Sequence, residues 1–237
     1  MNRQASDKTL LPEPKTAPRR YWGLLRRRER LLPTWRGCGL LVLVFLVLTI
    51  GIGRRLHAFL AMNEPVPGGV MAVEGWCTDY AFEVAMEEFQ RGHYEKIYVT
   101  GGPIDEGAPL WQYKTYAQRG AAVLLKLGMP TNSVEAVPAA RVRADRTFAA
   151  ARAMAAWSRE HNVPLTKVQV ISEGPHARRS RLLFAKALGK DVRVGVLAVP
   201  VLEYDADHWW RSSSGVRGVM GELLAYFYAK FLFSNGS

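Results

Sequence analysis

An uncharged apolar run from residue 37 to residue 53, GCGLLVLVFLVLTIGIG, constrains this chain more than any other feature. As a helix, its 17 residues would be about 25 Å long, slightly less than the ~30 Å hydrocarbon layer of a bilayer. Trp35, Arg36 and Arg54 flank the run, and their long side chains can reach the interface. The run has no polar face that a soluble domain could leave in water. We therefore predict a transmembrane helix rather than a buried core helix.

The net charge of +11 is concentrated before this run. Residues 1–36 hold ten basic and three acidic side chains, a net charge of +7, whereas the rest of the chain is nearly balanced. Basic residues favour the cytoplasmic side of a membrane, so we predict a single-pass protein with a cytoplasmic N-terminus and an extracytoplasmic domain. A cleaved signal peptide is the alternative. A cut after Ala61 would place Phe59 at the −3 position, which favours an uncleaved signal anchor.

These features give four predicted segments. Residues 1–36 are a disordered basic tail, 37–53 the anchor, 54–69 a linker and 70–233 a folded domain. The lipid bilayer is one predicted partner. Nucleic acid is not, because the folded segment lacks an interleaved basic and aromatic face. The two cysteines, Cys38 and Cys77, are not expected to form a disulfide, and no common zinc, hydrolase or nucleotide motif occurs, so no metal site and no cofactor is assigned.

From residue 70 onward, short apolar runs alternate with helical patterns. Such alternation indicates βαβ units, so we predict an α/β, Rossmann-like three-layer domain with a mainly parallel sheet of about five strands. Thr78 or Asp79 can cap the first helix of this domain, and Asp145 the third. Ligands of such sheets bind beyond the carboxyl ends of the strands. The predicted strands are 70–74, 96–100, 134–137, 167–172 and 192–199. The first helix ends at Gly92, and the helices after it are 110–127, 145–161, 177–188 and 212–233.

Two strands end in residues that can carry chemistry. Glu74 ends the first strand, and a buried carboxylate there needs a partner, either a ligand or a neighbouring loop amide. Thr100, Gly101 and Gly102 end the second strand. Paired glycines allow backbone N–H groups to approach an anion, although an ordinary turn between strand and helix explains them as well.

Basic side chains precede two further helices. Arg143 and Arg146, with Asp145 and Thr147, stand at the start of the third helix of the domain and form either an anion clamp or a solvated face. His176 begins a helix after the fourth strand, followed by Arg178 and Arg179. Cationic neighbours at a helix N-terminus should keep His176 neutral, as a general base or a hydrogen-bond donor to an anion. A purely structural histidine is the alternative.

Trp209, Trp210 and Arg211 follow the last strand. The tryptophans can form a lid, a wall for a sugar ring or a membrane-interface anchor, and Ser212 can cap the helix that follows. That helix is too short for a second span and is interrupted by Glu222 and Lys230, so we expect it to dock on the sheet.

In their order and spacing, these motifs resemble those of the SanA/ElyC/YdcF family of bacterial envelope proteins, over roughly residues 70–233. Asp145 and Arg143 stand where the family usually has Asn and Ser, and the acidic residue of its second helix has no counterpart near Tyr113 and Lys114. The matching motifs are Thr100-Gly101-Gly102, the 143–147 helix start, His176-Ala177-Arg178-Arg179 and Trp209-Trp210-Arg211.

The resemblance implies a protein of the bacterial plasma (inner) membrane, with a periplasmic domain that acts in cell-wall biogenesis or barrier maintenance. Together with the basic side chains at the strand ends, it favours binding or processing of an anionic, phosphate-bearing or lipid-linked envelope precursor, with His176 and Glu74 as the candidate catalytic residues. The alternative is a non-enzymatic assembly or regulatory protein whose pocket is vestigial or binds S-adenosylmethionine or a similar nucleotide-like ligand. Whether the chain is an enzyme stays open at this point.

Overall fold

The computed structural model describes residues 33–104 and 112–234. The chain divides into two compact units, Met1–Val47 and Leu48–Ser237. The described part of the first unit is the beginning of one helix, and the second unit holds the rest of that helix and the whole sheet.

The N-terminal helix α1 extends over Trp35–Leu60, a length of 26 residues, and includes a window with a mean hydropathy of 2.2 and no buried residue. It is therefore long and apolar enough to cross a membrane. The helix does not end at residue 53, the predicted end of the anchor, but extends into the predicted linker of residues 54–69. It continues to the fully buried Leu60, which packs with Trp209, Val219 and Tyr226.

Five parallel strands form one sheet, in the order β3-β2-β1-β4-β5. The predicted Rossmann-like α/β class is thus confirmed, and each strand boundary lies within one residue of the sequence-based prediction. The strands are β1 (Val70–Glu74), β2 (Ile97–Gly101), β3 (Val134–Pro138), β4 (Lys167–Glu173) and β5 (Arg193–Val199).

The central strand β1 shows why the chain folds this way. All five of its residues are buried, as expected for a strand that helices cover on both faces. Because side chains alternate along a strand, Met71 and Val73 lie in one hydrophobic cluster, and Val70 and Ala72 in the other. Phe82 belongs to the first of these clusters and Phe184 to the second.

The helices differ from the sequence-based predictions mainly at their N-termini. Residues 112–114 are not helical, and Thr115 starts the next helix through a capping box with Gln118. The predicted residues 110 and 111 of that helix lie outside the described residues. The helices of the domain are α2 (Asp79–Gly92), α3 (Tyr116–Lys126), α4 (Arg146–Glu160), α5 (Ala177–Leu188) and α6 (Ser213–Phe227), the last followed by a π-helical turn, Tyr228–Leu232.

Only one of the predicted helix caps of this domain forms through its side chain. Ser212 accepts a hydrogen bond from the backbone N–H of Gly215. Thr78 precedes α2, but its backbone N–H and its hydroxyl both donate to Glu173 instead. Asp145 precedes α4 with a left-handed φ of 56° and no side-chain capping bond. The predicted cap by Asp145 is therefore wrong, because the left-handed turn differs from the extended backbone that side-chain capping uses.

Candidate functional site

A cavity of about 750 Å³ lies beyond the carboxyl ends of the strands. This is where the doubly wound topology predicts a ligand site. Its walls come from the ends of β1, β2 and β4, from the segment between β3 and α4, and from α6. Residues that are far apart in the sequence thereby come together, among them Glu74, Thr100, Arg143, His176, Arg179 and Glu222.

Glu74, the last residue of β1, lies at the floor of the cavity with only 2% of its surface exposed. Its Oε2 atom accepts hydrogen bonds from the hydroxyls of Ser172, at 2.6 Å, and Ser180, at 2.7 Å. Its Oε1 atom lies 3.5 Å from Nε2 of His176. Burial alone would raise the pKa of Glu74, but the charge of His176 and these hydrogen bonds outweigh it and lower the pKa. Glu74 is therefore a buried, ionised carboxylate.

His176 lies between two carboxylates. Its Nδ1 atom is 2.9 Å from Oε1 of Glu222, and its ring meets Trp76 edge to face at 4.9 Å. Burial lowers the pKa of His176, but the charge of Glu74 and the hydrogen bond to Glu222 raise it to about 9. The expectation of a neutral histidine is thus wrong. The carboxylates of Glu74 in β1 and Glu222 in α6 affect the pKa of His176 more than the arginines that follow it in the sequence.

Arg179 and Glu222 form a paired contact beside this histidine. The Nε atom of Arg179 donates to Oε2 of Glu222 at 2.8 Å, and its Nη2 atom donates to Oε1 at 3.0 Å. Nη2 also lies 2.9 Å from Nδ1 of His176. When the imidazole is charged, Nδ1 of His176 and Nη2 of Arg179 are both hydrogen-bond donors. Both then donate to Oε1 of Glu222 and not to each other. Burial raises the pKa of Glu222, but the donors His176 and Arg179 lower it to about 2.

Three members of this network were missed by the sequence analysis, namely Glu222, Ser172 and Ser180. Glu222 is the only acidic residue of α6, a helix that is otherwise mostly apolar. A lone carboxylate in such a helix needs a partner if it is buried. The isolated acidic residue in the sequence of α6 could therefore have indicated that Glu222 belongs to the site. The two serines carry no comparable signal, because serines are common in loops and at helix starts.

The end of β2 contributes differently from what the paired glycines indicated. A Cβ atom on Gly101 would lie 2.7 Å from the Cβ atom of Tyr116, so this glycine is required for the packing of α3. A Cβ atom on Gly102 would lie 3.8 Å from the backbone oxygen of Ala140, an ordinary contact, and Gly102 lines the cavity. Thr100 also lines the cavity and is 1% exposed. Its hydroxyl has no hydrogen-bond partner in the part of the chain that the structure describes.

The segment before α4 and the first residue of α4 supply the basic wall of the cavity. Arg141, Arg143 and Arg146 line it, and each of the three is largely exposed to solvent. Asp145 lies among them, and its left-handed backbone marks the point where the chain turns into α4. Thr147, the next residue but one, is buried with its hydroxyl 3.4 Å from Nε2 of His176. The predicted clamp residues thus share one cavity with His176.

The structure places the other three predicted binding residues elsewhere. The Nε atom of Arg178 donates to the backbone carbonyl of Phe59, and its guanidinium lies 4.0 Å from the centre of that ring. Trp210 contacts Trp209 and His208 edge to face, and Arg211 is exposed before α6. These three residues do not line the cavity. Through these contacts with Phe59, Arg178 instead connects α5 to the end of α1.

This arrangement can supply two chemical functions. The Nε2 atom of His176 has only long contacts, at 3.4 and 3.5 Å, so its proton is available for a ligand oxygen. An imidazolium of this kind can stabilise an anion or donate a proton as a general acid. Among residues 33–104 and 112–234, no group of three His, Cys, Asp or Glu side chains is placed to hold a metal ion. Comparison with protein families, curated proteins and solved structures finds no match to this chain.

Proposed function

We propose that this chain is a membrane-anchored cell-envelope protein of the SanA/ElyC/YdcF family whose strand-end cavity binds a phosphate-bearing envelope intermediate. The observation that carries the proposal is a histidine, charged at neutral pH, that shares one cavity with four arginines: Arg141, Arg143, Arg146 and Arg179. Such a set of donors fits the oxygens of a phosphate or pyrophosphate group.

The charges of the floor and of the wall support this proposal in different ways. On the floor, Glu74, His176, Arg179 and Glu222 compensate one another, so the floor is rigid and holds His176 in position. On the wall, Arg143 has no ion-pair partner among the described residues, and a guanidinium presents a planar fork of donors to an anion. Gly102, which has no side chain, adds backbone that lines the cavity and that an anion can approach.

The same geometry is suited to a second step after binding. In a hydrolysis, water forms a new bond to phosphorus while the P–O bond to the leaving group breaks, and Nε2 of His176 can donate its proton to the departing oxygen. Glu222 orients the imidazole for this step through Nδ1 at 2.9 Å. Processing of the bound group through His176 is therefore part of the proposal, with Glu74 as a positioning residue, since its oxygens already have partners.

Binding of a soluble pyrophosphate tests the proposal. Full-length chain in nanodiscs is titrated with dimethylallyl pyrophosphate, and Arg143→Ala is expected to weaken binding about tenfold, the loss typical of one charge-assisted hydrogen bond. Arg159→Ala is the matched control, because Arg159 is an exposed arginine in the last turn of α4, at the other end from the cavity. Equal affinity of both variants and the native chain would contradict the proposal, as would stabilisation by S-adenosylmethionine alone.

Thr100→Val adds a second arm to this titration. Valine has nearly the shape of threonine and removes the unpartnered buried hydroxyl. Without ligand, the variant should be as stable as the native chain or more stable by about 1 kcal/mol. Its affinity for the pyrophosphate should nevertheless fall. A loss of stability and of affinity together would instead indicate a structural role for the Thr100 hydroxyl.

The placement at a bacterial plasma membrane is also part of the proposal. It is supported by the apolar helix α1 and by the ten basic residues of 1–36. Alkaline phosphatase fused after residue 65 is expected to be active, because the fusion point would lie outside the cytoplasm. Activity of a cytoplasmic reporter at the same point, without phosphatase activity, would reverse the proposed topology.

A further inference from the structure

Helix α6 has two apolar faces, and residues 33–104 and 112–234 cover only one of them. Val219 and Tyr226 are buried against Leu60 and Trp209. On the other side, a stripe with spacings of three and four residues is open to solvent, with Leu224 68% exposed and Phe231 67% exposed. We call this stripe, which extends into the π-helical turn, the open face of α6: Val216, Met220, Leu224, Phe227 and Phe231.

The open face lies on the same helix that holds the end of α1. The indole N–H of Trp209, shortly before α6, donates to the backbone carbonyl of Gly53 at 3.2 Å. Phe59 meets Tyr226 edge to face at 5.9 Å. Residues 48–52, directly before Gly53, are apolar except for Thr49 and are exposed. The apolar surface of α1 thus reaches the elements that carry the open face.

Basic residues outnumber acidic ones around the open face, although Asp205 and Asp207 are exposed in the segment before α6. The only acidic residue of α6, Glu222, turns into the cavity, where it pairs with Arg179. The ammonium of Lys230 lies over the rings of Tyr226 and Phe231, a position from which a lysine can extend toward lipid headgroups. Five basic residues on these elements are exposed: Arg54, Arg55, Arg211, Arg217 and Lys230.

We propose that the open face of α6 inserts into the leaflet in which α1 ends, with the basic residues at the lipid headgroups. An apolar stripe bordered by Lys and Arg is typical of a helix that lies in the membrane interface, about 5–10 Å into the headgroup and acyl boundary. The bilayer is the occupant because the anchor α1 holds this surface next to the membrane. A soluble partner would have to bind in the same place, beside the lipid.

Insertion of α6 would place the cavity close to the lipid. Glu222, Ala225 and Ala229 line the cavity from the side of α6 that faces away from the open face. The cavity would then be separated from the leaflet by one helix, a diameter of ~10 Å. This inference rests on the proposed membrane anchoring and not on the ligand. The test therefore contains no ligand, so its outcome is independent of the binding titration.

A fluorophore on the open face tests the insertion. In a Cys38→Ser background, Leu224→Cys is labelled with an environment-sensitive dye, while Cys77 stays inaccessible because it is fully buried. The matched control is Leu125→Cys, an exposed leucine on α3, which packs against β2 and β3 at the other end of the sheet. Full-length chain is placed in nanodiscs at one copy per disc. We expect lipids with a shallow acyl-chain quencher to reduce the Leu224→Cys signal several-fold and to leave the Leu125→Cys signal unchanged.

Two results would overturn the inference. The first is equal quenching at the two labelled positions. The second is protection of the Leu224→Cys label only in discs that hold two copies, because a second copy of the chain would then be the occupant. Stronger quenching in anionic than in zwitterionic lipid, at one copy per disc, would add support for the basic residues.

Discussion

Glu74→Gln is expected to lower the free energy of unfolding by about 3–5 kcal/mol, because it removes one partner of a buried ion pair. The amide can still accept a hydrogen bond from Ser172 or Ser180, but it presents no charge to His176. Since Glu74 is 2% exposed, water cannot replace the lost carboxylate. The measurement is urea-induced unfolding of full-length chain in nanodiscs, followed by tryptophan fluorescence.

Glu83→Gln provides the control for this prediction. Glu83 is exposed on α2, and a substitution there should change stability by no more than about 0.5 kcal/mol. Glu74→Gln should also lower the pKa of His176, because the charge of Glu74 is the main contribution that raises it. Unfolding of Glu74→Gln at the urea concentration of the native chain would show that Glu74 does not hold the site together.

Binding of a pyrophosphate is expected to weaken by about tenfold in total as the pH rises through about 9, because His176 then loses the positive charge that attracts the anion. The pKa of His176 is raised from 6.5 to about 9, so the charge is present at neutral pH and is lost as the pH rises through 9. The stabilisation that the charged imidazole gives to the fold also decreases as the pH rises. It is complete below pH 6.5 and is lost as the pH rises through 9.

Dimethylallyl pyrophosphate suits this experiment, because its last ionisation lies near the pKa of about 6 of a phosphate monoester. The arginines keep their charge over the whole range, so they do not produce the decline. His176→Gln should bind weakly at every pH and show no decline. His161→Gln, an exposed histidine directly after α4, should keep the native profile. A decline that persists in His176→Gln would assign the titration to another group.

The fold could be predicted because its signals are local. The run VMAVE of β1 is buried throughout. Apolar runs of this kind that alternate with helices indicate βαβ units and therefore a parallel sheet. The helix starts were harder to predict, since several polar residues compete for each cap. Thr78 bonds Glu173 instead of capping α2, and this partner lies 95 residues further along the chain.

The candidate site could be predicted only in position. The rule that ligands lie at the carboxyl ends of parallel strands selected Glu74, Thr100, Arg143 and His176, and one cavity contains all four. The partners of these residues could not be predicted. Arg178 stands beside Arg179 in the sequence, yet it bonds the carbonyl of Phe59, because neighbouring residues of a helix point in different directions.

The sequence by itself determined an N-terminal helix long and apolar enough to cross a membrane, the parallel sheet and the edge of the sheet at which the polar residues gather. These properties depend on local hydrophobicity and on strand periodicity, and both can be read from consecutive residues of the sequence. Only the tertiary structure decided the charge of His176. Its carboxylate partners, Glu74 and Glu222, are 102 residues before it and 46 residues after it, and the folded sheet and α6 bring them within 3.5 and 2.9 Å. A pKa depends on neighbours in space, and those of His176 are acidic, although its neighbours in sequence are basic.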